Sequence, residues 1–435
     1  MGIDRLNILV LHRLGNPDLA PNFLRHHVFS LKANFPHHNY IYHDTALSLP
    51  QYVRDTAFDA IILDVTFLCA RWASTRIFEE IKDSYQFVKY SDAVKIAFPQ
   101  DEYDCNELLD DWMCDWRVDL VVSVISTQWE VLYPRYHKIG VVRLGYTGYV
   151  DESLINMERQ PFLDRPIDIG YRARKLLPYF GRIGETKWTI GRNVALLCEK
   201  ARLTANIVLG DSGTLVGQAW LDFINNCKFT LGANSGSSLL DPRGDIQHRV
   251  RIYLLKHPDA SFEEVEDHCF KGLDGQHEFT AISPRILEAA LLESCQILVE
   301  GEYSGIIKPW EHYIPIRPDA SNFADVLGAM RDRSLVDRLN KNCRAAILDV
   351  NDLRYLHKAR KVIETIGDIA TRKGVTSKSA HVEKVMALYD HDMKEKYKRY
   401  WRRQSFRRKA IKLIDRYPVI SRLVRSARYF AQGRI

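Results

Sequence analysis

The residues best suited to chemistry lie in one segment, Ser283-Pro284-Arg285, with Glu288 three positions further on. Ser is a favoured N-cap and Pro a favoured first helical residue, so this segment predicts the start of a helix. Free N–H groups at such a start, together with the helix dipole, bind anions, and Arg285 adds a positive charge in the first turn. Glu288 falls on the same face, where a carboxylate can accept hydrogen bonds from two ribose hydroxyls. The spacing therefore predicts a site for a phosphate and its ribose.

A second segment, residues 168–188, offers cations after a predicted strand. Its candidates for binding an anion are Arg172, Arg174, Arg182 and Lys187, and glycines nearby allow a close backbone approach. A solvated basic loop explains any one of these residues equally well.

Small residues and a tyrosine complete the candidate set. Residues 229–241 are interpreted as a strand that ends in a loop, where Gly236 and Ser237 can present N–H and hydroxyl donors to a phosphate. A plain tight loop is the equal alternative. Tyr303 lies in the loop after the strand predicted at 295–299, and loops at such strand ends carry ligands.

An acidic turn follows the strand predicted at 94–98 in the first half of the chain. Asp101 lies just past this strand end, which is the correct edge for a base that activates an acceptor hydroxyl. An exposed acidic turn is the simpler interpretation of any single residue there. Paired histidines elsewhere lack a third ligand, so no metal site is predicted.

Residues 283–315 combine S-P-R-x-x-E-A-A, a strand, a Gly-containing turn and K-P-x-x-H-Y-I-P. This pattern resembles the C-terminal domain of GT-B glycosyltransferases, and is most similar to the group 1 and spore-protein-like families, which use nucleotide sugars. The resemblance implies that Glu288 holds the donor ribose, as the second Glu of the E-x7-E motif. Thr280 stands where that motif has its first Glu. The resemblance also implies that helix starts and basic side chains stabilise the diphosphate, so no metal or other cofactor is expected.

Strands rich in Val and Ile alternate with helical stretches in both halves of the chain, which is typical of doubly wound parallel sheets. We therefore predict an α/β protein with two Rossmann-like domains facing across a cleft, the GT-B fold. Residues 1–150 are the acceptor-side domain and 151–333 the nucleotide-sugar donor domain. Residues 334–393 are predicted to form helices at the domain junction, followed by a basic amphipathic tail at 394–435.

The composition predicts a cytoplasmic protein. No apolar run approaches the ~20 residues of a membrane span, and the N-terminus is unlike a signal peptide. Eight dispersed cysteines without C-x-x-C spacing indicate a reducing compartment.

The basic tail predicts an anionic partner. Residues 394–435 carry 15 Lys and Arg against two acidic residues, whereas the rest of the chain carries 46 against 53. Aromatic residues and an apolar stripe accompany this charge, so we expect peripheral attachment to the inner face of the membrane. No nucleic-acid fold signature accompanies the tail, so no nucleic-acid partner is predicted. The alternative is a helix packed on the acidic body.

These features together predict a glycosyltransferase of hexosyltransferase type. It would move a sugar from a nucleotide-sugar to a glycan or lipid-linked acceptor, in surface polysaccharide or glycoconjugate synthesis. Two alternatives stay open. One is a non-catalytic nucleotide-sugar or glycan-binding protein, suggested by Thr280, and the other is a nucleotide-sugar epimerase of the same fold.

Overall fold

A computed structural model describes residues 5–375 and 379–414. The strands of the first domain are β1 (Asn7–His12), β2 (Asn39–Asp44), β3 (Ala60–Leu63), β4 (Val94–Ala97), β5 (Leu120–Ser123) and β6 (Val141–Leu144). They form one parallel sheet in the order β2-β1-β3-β4-β5-β6. The helices of this domain are α1 (Asn22–Asn34), α2 (Gln51–Arg54), α3 (Val65–Leu68), α4 (Thr75–Ser84), α5 (Phe87–Tyr90), α6 (Asn106–Asp115) and α7 (Trp129–Leu132), and α8 (Glu152–Ile155) follows in the connection.

The second domain repeats this architecture. Its strands are β7 (Ile167–Ala173), β8 (Ala205–Leu209), β9 (Cys227–Gly232), β10 (Ser235–Ser237), β11 (Phe279–Ala281), β12 (Cys295–Val299) and β13 (Ile314–Ile316). Five of them form a parallel sheet in the order β13-β12-β9-β7-β8, and β10 pairs with β11 in a separate antiparallel ribbon. The helices are α9 (Gly181–Ala201), α10 (Gln218–Asn225), α11 (Asp245–Lys256), α12 (Phe262–Cys269), α13 (Pro284–Leu291) and α14 (Phe323–Arg331).

Both faces of the first sheet are buried, because apolar side chains on successive residues point to opposite faces of a strand. In β1, Leu9 and Leu11 pack in one core cluster, whereas Ile8 and Val10 pack in another on the other face. This two-sided burial is the reason that the strands are continuous Val/Ile/Leu runs rather than alternating patterns.

Three further helices return the chain to the first domain: α15 (Arg333–Asp349), α16 (Tyr355–Lys373) and α17 (Ser379–Ile414). Helix α15 packs against α13, whereas α16 packs against α1 and β4. Helix α17 contributes Val382, Val385, Tyr389 and Met393 to the core of the first domain.

The predicted fold class is confirmed: two Rossmann-like parallel sheets lie in separate domains, and helices follow them. The boundary predicted at 393/394 falls inside one continuous helix, α17, and residues 415–435 of the predicted tail lie outside the described part. Within the described residues, no helix is both long and apolar enough to cross a membrane.

Candidate functional site

The β10–β11 ribbon joins the two domains beside the strand ends. Phe279 of β11 packs in the first-domain core and stacks on Tyr103, with ring centroids 6.0 Å apart. The backbone N–H of Cys105 donates to the Asp241 carbonyl at 2.7 Å, and the Asp241 N–H donates to the Tyr103 carbonyl at 3.0 Å. These bonds fix the loop after β4 against the second domain, so its side chains face the donor-side residues.

Helix α13 begins at Pro284, as its sequence predicts. Ser283 occupies the N-cap position, but its hydroxyl accepts no hydrogen bond from the first turn, so the side chain does not cap the helix. Arg285 is exposed, and its Nη1 donates to the Arg172 carbonyl at 2.6 Å, the end of β7. The helix start and its arginine therefore lie at the carboxyl edge of the second sheet, where parallel α/β sheets bind ligands.

Glu288 lies one turn into α13 and is partly buried. The indole N–H of Trp220, in the first turn of α10, donates to Glu288 Oε2 at 2.6 Å. Burial raises the pKa of Glu288 to about 7, although the Trp220 hydrogen bond and the charges of Arg285 and His26 act to lower it. With Trp220 as its hydrogen-bond donor on Oε2, this carboxylate can accept further hydrogen bonds, such as those from ribose hydroxyls.

Lys187 lies on α9 and faces both domains. Burial lowers the pKa of Lys187 to about 8, while Asp101 across the cleft raises it and Arg285 lowers it further. No hydrogen bond or ion pair to the Lys187 ammonium is found among the described residues. Lys187 thus has both a cation, Arg285, and a carboxylate of the first domain, Asp101, as charged neighbours.

The loop that carries Asp101 is held in an uncommon conformation. Asp101 has φ 46°, in the left-handed region, and its Oδ1 accepts a hydrogen bond from the Tyr103 hydroxyl at 2.7 Å. The buried Arg71 donates to the carbonyls of Gln100 and Asp101 at 2.7 and 2.8 Å. Left-handed backbone is unfavourable for a non-glycine residue, so Arg71 and Tyr103 together fix the position of this carboxylate.

Several predicted site residues lie in structural roles instead. Arg172 donates to the Asn206 carbonyl and side chain at 2.7 and 2.9 Å and covers the Phe223 ring. Arg174 is exposed beside Asp211, 3.4 Å away. The Arg172 guanidinium is thus engaged within its own domain, while its backbone carbonyl accepts the hydrogen bond from Arg285.

Tyr303 and the small-residue loop are likewise part of the framework. Tyr303 is fully buried, and its hydroxyl donates to the Val299 carbonyl at 2.6 Å. Ser237 is fully buried and its hydroxyl bonds with Leu239 at 3.0 Å. A Cβ at Gly236 would lie 1.8 Å from the Phe279 carbonyl oxygen, so this glycine permits the β10–β11 pairing. The hydroxyls of Tyr303 and Ser237 are thus bonded to the backbone of nearby residues in the chain.

Two residues whose contacts bear on ligand binding were not singled out from the sequence. One is Trp220, and the other is Asn234, which follows β9 and lies against Gly301, where a Cβ would be 2.7 Å from its amide nitrogen. Asn234 Oδ1 is buried and has no hydrogen-bond partner. Buried polar atoms normally have partners, so this amide is a candidate to contact a bound ligand. Only the tertiary contacts distinguish either residue from an ordinary loop or helix residue.

The described residues contain no group of three or more His, Cys, Asp or Glu side chains that could hold a metal ion. The adjacent carboxylates Asp110 and Asp111 lie inside α6. Asp110 accepts hydrogen bonds from the backbone N–H groups of Arg135 and Tyr136. It therefore serves the packing of the first domain.

No protein-family model matches the sequence, and no curated protein matches it. The structure is similar to that of a glycosyltransferase from Rickettsia africae, with 11% identity and a TM-score of 0.46 over 84% of this chain and 99% of that chain. It is similar to Anabaena Alr3699/HepE in complex with UDP and glucose, with 9% identity and a TM-score of 0.46 over 83% and 99% of the two chains. An alpha-glucosyltransferase in complex with UDP and DNA gives 11% identity and a TM-score of 0.48 over 84% and 100%. Identities this low say nothing about the residues of the site.

Proposed function

We propose that this protein is a glycosyltransferase that uses a nucleotide-sugar donor. What supports the proposal is a chain of electrostatic neighbours: Arg285 acts on both Glu288 and Lys187 in the second domain, and Asp101 of the first domain acts on Lys187. One carboxylate for a ribose, two cations for a diphosphate and an acid–base group across the cleft are the parts that this reaction needs. The two-domain fold places them at the carboxyl edges of the sheets.

In the proposed reaction, Glu288 accepts the ribose hydroxyls, while Arg285, Lys187 and the start of α13 bind the diphosphate. Asp101 takes the proton of the acceptor hydroxyl as its oxygen bonds to the anomeric carbon. The bond from that carbon to the diphosphate oxygen breaks, and Lys187 and Arg285 stabilise the charge that develops on the leaving group. No metal ion takes part in this proposal, so turnover should survive EDTA.

A thermal-shift screen tests the donor site. UDP-, GDP-, CMP- and dTDP-sugars are added to the full chain, because a ligand that binds only the folded state raises its Tm by mass action. At least one donor should raise the Tm, and the Glu288→Gln variant should lose most of that shift. No shift with any donor would contradict the proposal. A shift without slow release of the nucleoside diphosphate would favour a non-catalytic binding protein.

We further propose a hexosyltransferase that works at the cytoplasmic face of a membrane, on a glycan or lipid-linked acceptor of surface polysaccharide or glycoconjugate synthesis. Helix α17 supports this location. Its exposed cations in the described range are Lys394, Lys396, Lys398, Arg399, Arg402, Arg403, Arg407 and Lys409. The same helix is attached to the acceptor-side domain, since the backbone N–H of Asp44, at the end of β2, donates to the Tyr397 hydroxyl at 2.9 Å. Attachment through α17 would bring the acceptor side of the cleft close to the lipid surface.

A further inference from the structure

We propose that Trp220 is a positioning residue that holds the Glu288 carboxylate ready for the donor ribose; this inference rests on the proposed function. The indole N–H of Trp220 lies 2.6 Å from Glu288 Oε2. The Arg285 guanidinium carbon lies over the Trp220 ring, 5.2 Å from the ring centroid. One side chain thus contacts both the residue assigned to the ribose and a residue assigned to the diphosphate.

The two carboxylate oxygens of Glu288 have different partners in this proposal. Trp220 occupies a donor position on Oε2, which stops rotation of the carboxylate and leaves Oε1 for ribose hydroxyls. Side-chain packing supports this placement. Trp220 packs against a core cluster that contains Phe223 of α10, Ala289 of α13 and Leu292, which follows α13. An indole N–H also favours the ionised carboxylate over the neutral acid.

Three further titratable groups interact electrostatically with Glu288. Arg285 on α13 and His26 on α1 act to lower the pKa of Glu288, and the charge of Glu288 contributes to the raised pKa of Tyr355 on α16. His26 is paired with Asp151 at 3.0 Å. The substitution Trp220→Phe leaves all of these groups in place and keeps an aromatic ring under Arg285. It therefore removes the N–H donor selectively.

The experiment measures affinity for UDP, GDP, ADP and CDP by calorimetry at pH 6.5 and pH 8.5. Trp220→Phe should raise the pKa of Glu288 by about one unit, as expected for losing a hydrogen bond to a charged acceptor. For the diphosphate that binds, the ratio of wild-type to Trp220→Phe affinity should be nearly tenfold at pH 6.5 and should approach one at pH 8.5. Taking the ratio at each pH cancels the titration of Lys187.

Two controls make the result specific. Trp129→Phe also loses one indole hydrogen bond, to the Ile125 carbonyl at 2.7 Å in the first domain, and should leave the affinity unchanged at both pH values. In a Glu288→Gln background, where the side chain cannot titrate, Trp220→Phe should give the same ratio at both pH values. Thermal unfolding of each variant at both pH values reports whether it is folded.

The outcomes separate this inference from the function on which it rests. If wild-type protein binds a diphosphate and Glu288→Gln weakens it, a ratio for Trp220→Phe that does not change with pH overturns the role of Trp220 alone. If no diphosphate binds the wild-type protein at either pH, the proposed function fails and the inference fails with it. The proposal is supported if the ratio of wild-type to Trp220→Phe affinity falls as the pH rises, and if this fall disappears in the Glu288→Gln background.

Discussion

Lys187 makes the donor site sensitive to alkaline pH. Its pKa is lowered to about 8, chiefly by burial, with Asp101 and Arg285 as the charged neighbours. A bound diphosphate favours the charged ammonium and so raises that pKa, which means that the contribution of Lys187 to affinity is full well below pH 8 and is lost above it. We expect a loss of up to about tenfold per pH unit above 8. Calorimetric titration from pH 7 to 9.5 measures this loss.

Lys187→Met is the control for that pH dependence. The variant should bind the diphosphate more weakly at pH 7, and its affinity should no longer fall with the same slope above pH 8. Affinity for the nucleoside without phosphates should change little. An unaltered alkaline slope in Lys187→Met would show that another group titrates.

Asp101 is the residue on which turnover should depend. Asp101→Asn keeps the size of the side chain but removes the base, so the rate of sugar transfer should fall by about 10²–10⁴-fold. Donor affinity should fall far less than the transfer rate, because Asp101 acts on the diphosphate only through its effect on the pKa of Lys187. Asp92→Asn, an exposed carboxylate of the same domain, is the matched control. Equal transfer rates in wild type and Asp101→Asn would rule out Asp101 as the base.

At the residue scale, local sequence identified Glu288 and Arg285, because capping and helical spacing place them without any knowledge of the fold. It did not identify Trp220, whose contact with Glu288 joins residues 68 positions apart. Tyr303 shows the converse. Its place in a loop after a strand suggested access to a ligand, but only packing reveals that it is fully buried.

At the element scale, the strands predicted at 94–98 and 295–299 match β4 and β12 to within one residue, because two-sided burial produces a continuous apolar run. A helix was predicted from Lys187 onward, whereas α9 already begins at Gly181. The cap of that helix comes from Asp274, whose carboxylate accepts a hydrogen bond from the Arg182 N–H at 3.2 Å. A partner 92 residues away leaves no local signal. Strand β8 was missed because it is a partly exposed edge strand.

The β10–β11 ribbon should tolerate no side chain at Gly236. This residue has φ 137° and its Cβ would meet the Phe279 carbonyl oxygen at 1.8 Å. Gly236→Ala should lower the free energy of unfolding by at least about 2 kcal/mol, through steric overlap and backbone strain. Chemical denaturation measures this change.

Gly272→Ala is the matched control for the ribbon. Gly272 also has a positive φ, 73°, but nothing lies within 4 Å of its Cβ position. Only the left-handed backbone penalty of about 1 kcal/mol applies there. Equal losses of stability in the two variants would mean that close strand approach at Gly236 is unimportant.

At the scale of the whole molecule, α17 joins in one helix two features that the sequence assigned to separate segments. Its first half is part of the first-domain core, and Tyr389 bonds with His43 at 2.9 Å. Its second half exposes basic side chains, with Phe406 75% exposed among them. A chain that ends at Trp401 keeps the packed half and loses 11 Lys and Arg. This truncation therefore separates membrane attachment from folding.

Co-sedimentation with anionic vesicles tests the membrane role of α17. The full chain should bind at low salt and dissociate as salt rises, since each basic residue near the surface contributes about 1 kcal/mol. The truncated chain should bind much less. The triple variant Arg402→Gln/Arg403→Gln/Arg407→Gln should bind more than the truncated chain and less than the full chain. Equal binding of full and truncated chains would contradict the prediction. Preferential binding to duplex DNA would assign the helix to nucleic acid.

Release of nucleoside diphosphate tests directly whether the protein transfers sugar from a nucleotide-sugar, as proposed. The full chain is incubated with each nucleotide-sugar in the presence of EDTA, beside Glu288→Gln and Asp101→Asn. One donor should be hydrolysed slowly by the wild type, Glu288→Gln should need much more donor to reach the same rate, and Asp101→Asn should be far slower at saturating donor. No release from any donor, release that requires added manganese, or undiminished release by both variants would contradict the account.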